Sequence, residues 1–254
     1  MRPVEAAGAS VTQSSDMTAL VEELAAHGLR LRGGFAPVPA TDAALLALRP
    51  DTKSVVLVGN VGSEMWQRSK AAILGTGQPH PLDRWTRDVL TPIAAAHGGA
   101  ALFPFDGPPY WPFQRWAERA EGVRNSPIGI QIHPEFGLWH AYRAALLLPG
   151  ELDLPDPQWR GHPCDTCVER PCLLACPVGA FTGARYEVDH CVDHVVSTRQ
   201  NDQACFQRGC LARIACPVGA VWRYEPEHAT FHMDAFVTAR LAARKDRNRY
   251  GMLT

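Results

Sequence analysis

Apolar residues recur with helical spacing near the N-terminus and form short continuous runs further along the chain. After Asp16, an apolar stripe that Gly28 interrupts predicts a helix to about His27. The stripe consists of Leu20, Val21, Leu24 and Ala25. The runs LRLRGG and KSVVLVGNVG are short, apolar and followed or ended by glycine, which predicts two strands.

The middle of the chain continues this alternation of helical and extended patterns. Helices are predicted from Ser63 to about Leu74 and from Pro81 to about Ala96. The run GAALFPF predicts a strand, and IGIQIHPEFGLWHAYRAALLLPG predicts a strand, a loop and a second strand. Together these elements predict an α+β fold with a mixed sheet.

The segment ELDLPDPQWRGHP is rich in proline and is typical of a domain boundary. We therefore predict a flexible lead-in over residues 1–16, an α+β domain over 17–155, a cysteine-containing module over 156–222 and a C-terminal helical tail over 223–254. The tail helix is expected from about Asp234, and its basic residues lie near its end, where the helix dipole favours them.

The composition of the 254 residues limits the possible partners. The net charge is -1 and the pI is about 6.8, which argues against a nucleic-acid partner and against an anionic membrane surface. The N-terminus lacks the pattern of a signal peptide, and no apolar run approaches the roughly 18 to 20 residues that span a bilayer. We expect a cytoplasmic protein without a membrane partner.

All eight cysteines lie between Cys164 and Cys216, and in a reducing compartment such a cluster indicates metal ligation. They form two groups, each closed by Cys-Pro within the repeated hexapeptide ACPVGA. In bacterial ferredoxins, the cysteine followed by proline binds the cluster of the other group. This crossed rule predicts two [4Fe-4S] clusters. The ligand sets are Cys164, Cys167, Cys172 and Cys216, and Cys176, Cys191, Cys205 and Cys210.

Zinc is the alternative metal, although only one Cys-x2-Cys pair is present and zinc gives no reason for two Cys-Pro endings. Cys191 is flanked by His190 and His194, and histidine can also bind a cluster. We interpret both histidines as surface residues.

The order of these cysteines resembles the ferredoxin-like module of epoxyqueuosine reductase and, more distantly, of reductive dehalogenases. Residues 132–150, IHPEFGLWHAYRAALLLPG, are similar to the cobalamin-binding domain of that group and especially to the cblC-type cobalamin-processing chaperone. The resemblance implies a nitroreductase-like domain that binds cobalamin. The cofactor-binding residues that it implies are His133, Gly137, Trp139 and Arg143.

Each of these positions also has a structural interpretation. A histidine before proline is often held by backbone groups in a packed loop, and a buried arginine can pair with a structural carboxylate. If the resemblance holds, Gly137 lets the backbone approach a flat macrocycle and Trp139 supplies an apolar wall. No catalytic acid is assigned, because the proton-donating aspartate motif of the reductase is not found.

The sequence thus favours an iron-sulfur reductase that passes single electrons from two [4Fe-4S] clusters to cobalamin or a similar flat cofactor. Its partners would be an electron donor of the flavodoxin or ferredoxin type and a small-molecule or corrinoid substrate. The alternative is an electron-transfer or cobalamin-trafficking protein without turnover. Reduction of epoxyqueuosine in tRNA is a third hypothesis, disfavoured by the neutral charge and by the lack of a helical-repeat region.

Overall fold

The computed structural model describes residues 8–75, 77–154, 157, 161–183 and 185–250. The strands are β1 (Arg30–Phe35), β2 (Ser54–Val61), β3 (Ala100–Leu102), β4 (Arg124–Asn125), β5 (Gln131–Ile132) and β6 (His140–Leu148). The helices are α1 (Gly8–Ala26), α2 (Pro39–Leu48), α3 (Glu64–Leu74), α4 (Pro81–Ala96), α5 (Phe113–Glu121), α6 (Pro171–Leu174), α7 (Val188–Ser197), α8 (Cys205–Arg208), α9 (Leu211–Ile214) and α10 (Pro226–Tyr250).

The chain divides into two compact units. Unit 1 contains residues 1–123 and 140–160, and unit 2 contains residues 124–139 and 161–254. Unit 2 therefore combines the cysteine segment with a short excursion from the middle of the chain. The predicted domain limits place that excursion with the α+β domain, and they stay a prediction.

Unit 1 is built on a four-stranded sheet of order β1-β2-β6-β3. All eight residues of β2 are buried, as its apolar sequence SVVLVGNV predicts. Val55 and Leu57 belong to the core to which α5 contributes Trp116, whereas Val56 and Val58 are buried on the opposite face because side chains alternate along a strand.

The α+β class is confirmed, but the prediction of a mixed sheet is wrong for the residues described. The pairs β1–β2, β2–β6 and β3–β6 are all antiparallel. The physical reason is that β6 lies between β2 and β3 and β2 lies between β1 and β6, so strands that share a direction are never neighbours. Sequence patterns predict strands and not their neighbours.

The predicted strands and the helices α3 and α4 are present within a few residues of their expected limits. Helix α2 was not predicted, although Pro39 stands in its first turn, where proline is favoured. Helix α1 begins at Gly8, before the expected cap Asp16, because no proline or further glycine interrupts the polar stretch. The predicted lead-in otherwise falls on residues 1–7, outside the described residues.

Unit 2 contains the β4–β5 hairpin, five helices and a 3-10 turn at Ala220–Trp222. Helix α10 begins at Pro226, earlier than predicted, and its residues Val237 and Phe236 pack against Val195, Cys205 and Phe206. The tail helix is therefore part of the core that surrounds the second group of cysteines. None of the helices in the described ranges is long and apolar enough to cross a membrane.

Candidate metal centres

The first predicted ligand set surrounds one cavity in unit 2. Cys164 and Cys167 lie in a turn in which the Cys167 N–H donates to the Cys164 carbonyl at 3.3 Å. Cys172 lies in α6, and Cys216 follows α9. All four cysteines line a cavity of about 20 Å³, which is room for about one water molecule. The fold thus gathers thiols that are far apart in sequence.

The second set is gathered by α6 and α9, as the first is, and also by α7 and α8. Cys176 follows α6, Cys191 lies on α7, Cys205 begins α8 and Cys210 precedes α9. Cys191 and Cys205 belong to the core that α10 covers, whereas Cys176 and Cys210 pack against the core of the first set. The two sets therefore lie side by side in one unit.

The electrostatics of the thiols follow the same division. Burial, together with smaller contributions from the neighbouring thiols of Cys216, Cys172 and Cys167, raises the pKa of Cys164 to about 11. Burial likewise raises the pKa of Cys210 to about 11, with contributions from Cys205 and Cys191.

The pKa values of the remaining shifted cysteines show the same partition. Burial is the largest cause for each of Cys172, Cys191, Cys205 and Cys216. Each thiol neighbour that raises one of these pKa values belongs to the same predicted set as the thiol on which it acts. The crossed membership of Cys176 and Cys216 is thus matched by which thiols lie close together.

Among the residues that the structure describes, no group of three or more His, Cys, Asp or Glu side chains is positioned to hold a metal ion. The ligand role of the cysteines stays a prediction. The donor set itself suits a cluster, because four thiols in each set is the number that a [4Fe-4S] cluster requires. A metal would stabilise the thiolates that burial disfavours, and binding would release protons.

Two hydroxyl groups near these sets were missed by sequence reasoning. The Tyr186 phenol lies beside Cys191, and burial, followed by the interaction with this thiol, raises the pKa of Tyr186 above its ordinary value. Its ring stacks on Phe181 at a centroid distance of 4.8 Å. Ser126 lines the cavity of the first set although it belongs to the excursion 124–139. No spacing motif predicts either contact, because each depends on how separate loops meet.

The residues predicted to bind cobalamin are divided between the two units. His133, Gly137 and Trp139 lie in unit 2, whereas Arg143 lies in β6 of unit 1. Their proposed role in cofactor binding stays a prediction. The contacts that each makes within its own unit are nevertheless specific.

His133 is held by the backbone of its own loop. Its Nδ1 accepts hydrogen bonds from the N–H groups of Glu135 at 3.1 Å and Phe136 at 3.2 Å. The imidazole stacks on the Phe136 ring at 4.2 Å, and the His133 and Gly137 backbones exchange two hydrogen bonds of 2.9 Å. Because Nδ1 is an acceptor, Nε2 of a neutral imidazole carries the proton and acts as a donor.

Gly137 permits a close backbone contact, as predicted, but within unit 2 this contact is made by the protein backbone and not by a macrocycle. Gly137 has φ +58°, and an added Cβ would overlap the carbonyl oxygen of Val218. Gly219 has φ +67°, and an added Cβ there would overlap the backbone of Phe136. The loop His133–Gly137 and the second ACPVGA copy therefore fit together only because both positions lack a side chain.

Trp139 is 3% exposed and is enclosed by side chains of unit 2. The Arg213 guanidinium lies 4.4 Å from the Trp139 ring centroid and 4.5 Å from that of Tyr224. Arg213 also donates through Nε to the Leu138 carbonyl at 3.0 Å. The guanidinium thereby makes a cation–π contact with each of the two rings.

Arg143 is half-buried in unit 1, and its Nε donates to Asn60 Oδ1 at 2.9 Å. Its charge also acts on Asp83, whose pKa is raised by burial and lowered in part by Arg143. Asp83 lines a cavity of about 570 Å³ together with Arg84, Arg87 and Tyr110. This volume is typical of a site for a small molecule.

Comparison with known proteins gives structural neighbours only. No protein-family model matches the chain, and no curated protein sequence matches it. An epoxyqueuosine reductase solved with an epoxyqueuosine-modified tRNA-Tyr stem loop is 17% identical, with a TM-score of 0.49 over 85% of this chain and 69% of that one. The reductase from Bacillus subtilis is 16% identical, with a TM-score of 0.47 over 85% and 69%.

The B12-trafficking protein CblC from C. elegans is 14% identical, with a TM-score of 0.49 over 88% of this chain and 92% of that one. Structures of both groups that the motifs resemble are thus among its structural neighbours. At these identities and scores, no function or residue role passes to this chain. The expectation that nucleic acid is an unlikely partner stays a prediction.

Proposed function

We propose that this protein is a two-cluster electron-transfer protein in which each of the two crossed cysteine sets binds one [4Fe-4S] cluster. The observation that carries the proposal is the partition of the thiols, the first four of which line one cavity. Cys216 raises the pKa of Cys164 and has its own pKa raised by Cys172 and Cys167, whereas Cys176 raises the pKa values of Cys191 and Cys205. The partition agrees with the ferredoxin rule, in which the cysteine before proline crosses to the other group.

The clusters would be held by Cys164, Cys167, Cys172 and Cys216, and by Cys176, Cys191, Cys205 and Cys210. When bound, such clusters accept and release single electrons. The chain itself would supply thiolates, exclude water by burial and donate hydrogen bonds to sulfur.

The finer proposal is a reductase in which the electrons reach cobalamin or a similar flat cofactor bound with the help of residues in unit 1. Its support is the sequence resemblance of residues 132–150 and the cavity of about 570 Å³ beside Asp83 and Arg87 in unit 1. The substrate would be a small molecule or the corrinoid itself, and the electron donor a flavodoxin or ferredoxin.

A second candidate is an electron carrier or cobalamin-trafficking protein without turnover. Of these two forms, the electron carrier is favoured by the contacts of three of the predicted cofactor residues. The His133 ring accepts hydrogen bonds from backbone, Gly137 is closed by Val218, and Trp139 is enclosed by Arg213. Groups already occupied by protein contacts have less capacity to bind a macrocycle.

The test is anaerobic purification followed by iron, sulfide, zinc and cobalt analysis and a visible spectrum. We expect about eight irons and eight sulfides per chain. Zinc without iron would contradict the cluster proposal. Titration with cob(II)alamin then separates the candidates: binding with turnover supports the reductase, binding followed by release to an acceptor supports trafficking, and full iron content without corrinoid binding leaves the electron carrier.

A further inference from the structure

The cavity of the first cysteine set contains a buried hydroxyl group. Its lining is formed by the four thiols and by mainly apolar neighbours such as Ile132, Leu138 and Val218. Ser126 contributes the hydroxyl and is 7% exposed. Arg170 also lines the cavity, but this residue is exposed. Ser126 is therefore the buried polar residue, other than cysteine, among the described residues that line this cavity.

The Ser126 hydroxyl has no hydrogen-bond partner within the part of the chain that the structure describes. Its backbone, by contrast, is fully bonded: the N–H donates to the Ile130 carbonyl at 2.8 Å, and the carbonyl accepts from the Gly129 N–H at 2.9 Å. This turn fixes the residue beside the cavity. A buried hydroxyl without a hydrogen-bond partner is unfavourable, so the position favours a partner that the described residues do not supply.

The acceptors in this cavity are sulfur atoms. We propose that the Ser126 hydroxyl donates a hydrogen bond to a sulfur of the [4Fe-4S] cluster held by Cys164, Cys167, Cys172 and Cys216, and that this bond raises the reduction potential of that cluster. The inference rests on the proposed function. The bond strengthens when the cluster gains an electron, because donors bind more strongly to a more negative acceptor. Hydrogen bonds to the sulfurs are one of the factors that set cluster potentials.

The second set has a neighbouring hydroxyl group as well, since Tyr186 interacts with Cys191 and lowers the pKa of this thiol. The two clusters would each receive one side-chain hydroxyl, from a serine in one case and from a tyrosine in the other. This correspondence makes the effect separable, because a change at Ser126 should alter one cluster and leave the other unchanged.

The test is a redox titration of the anaerobically purified full chain, followed by EPR, with Ser126→Ala and Ser126→Thr as the variants. In Ser126→Ala, we expect the equilibrium constant for reduction of one cluster to fall about tenfold. This corresponds to a reduction potential lower by about 59 mV for a one-electron couple. Iron content should stay at the wild-type level. Ser126→Thr keeps the hydroxyl and should restore the wild-type potential.

Unchanged potentials in Ser126→Ala with full iron content would overturn the inference, as would equal shifts in both clusters or the same shift in both variants. If Ser126→Ala fails to hold iron, pulsed EPR of the reduced wild-type protein in H2O and D2O replaces it. An exchangeable proton coupled to the first cluster is expected, and its absence would overturn the inference. A wild-type protein without iron would instead refute the proposed function.

Discussion

The two copies of ACPVGA have the same sequence and the same turn but different surroundings. Gly179 has φ +57° and Gly219 has φ +67°, so each copy turns through the left-handed region at the same position. A Cβ at Gly179 would meet nothing within 4 Å, whereas one at Gly219 would overlap the backbone of Phe136. A repeated local sequence thus determines a repeated turn, and the tertiary structure decides what contacts it.

The same contrast holds for the neighbouring side chains. Val178 is 37% exposed, whereas Val218 packs against the core that contains Cys172 and Cys216. The turn of the first copy at Val178 lies at the surface, whereas the second copy packs against the loop His133–Gly137. The predictions below test whether this difference and the crossed ligand sets are correct.

The largest effect is expected from replacing either of the two Cys-Pro cysteines by alanine. Cys216→Ala should remove the cluster of Cys164, Cys167 and Cys172, and Cys176→Ala the other cluster, each with a loss of about four irons. Iron analysis and EPR check this. The matched controls are Cys164→Ala and Cys205→Ala, whose spectra should coincide with those of Cys216→Ala and Cys176→Ala respectively. The opposite match would show that the ligand sets are not crossed.

A smaller effect is expected from an alanine at each of the two glycines. Gly179→Ala carries only the left-handed backbone strain of about 1–2 kcal/mol. Gly219→Ala adds overlap with Phe136, so we expect about 3 kcal/mol or more in total. In a chain of this size, these values correspond to Tm decreases of about 3 °C and about 10 °C, measured by thermal unfolding of the iron-loaded proteins. Equal decreases would contradict the packing of the second copy.

The smallest effect is expected at Tyr186. Tyr186→Phe keeps the ring that stacks on Phe181 but removes the hydroxyl that interacts with Cys191. The reduction potential of the second cluster should fall by at most about 59 mV, which is a tenfold change in its reduction equilibrium. The potential of the first cluster and the Tm should stay unchanged. EPR-monitored titration measures both clusters in the same sample, so the first cluster serves as the control. A shift in the first cluster alone would reverse the assignment of Tyr186.

The sequence alone determined the local elements and the grouping of the cysteines. The apolar run of β2 and the limits of α4 could be predicted because the hydrophobic pattern, proline and glycine determine local structure over a few residues. Membership of the two cysteine sets stays a prediction, which rests on the short spacings and on the Cys-Pro endings. Helix α2 escaped prediction although Pro39 marks its start.

Only the tertiary structure decided which separate segments meet. It placed β6 between β2 and β3, set Gly137 against Val218, and brought Ser126 to the thiols of the first set. These contacts depend on the burial of side chains that lie far apart in sequence and on the absence of a Cβ at two glycines. Local periodicity carries no information about such partners, because the free energy that selects them arises from packing across the whole unit.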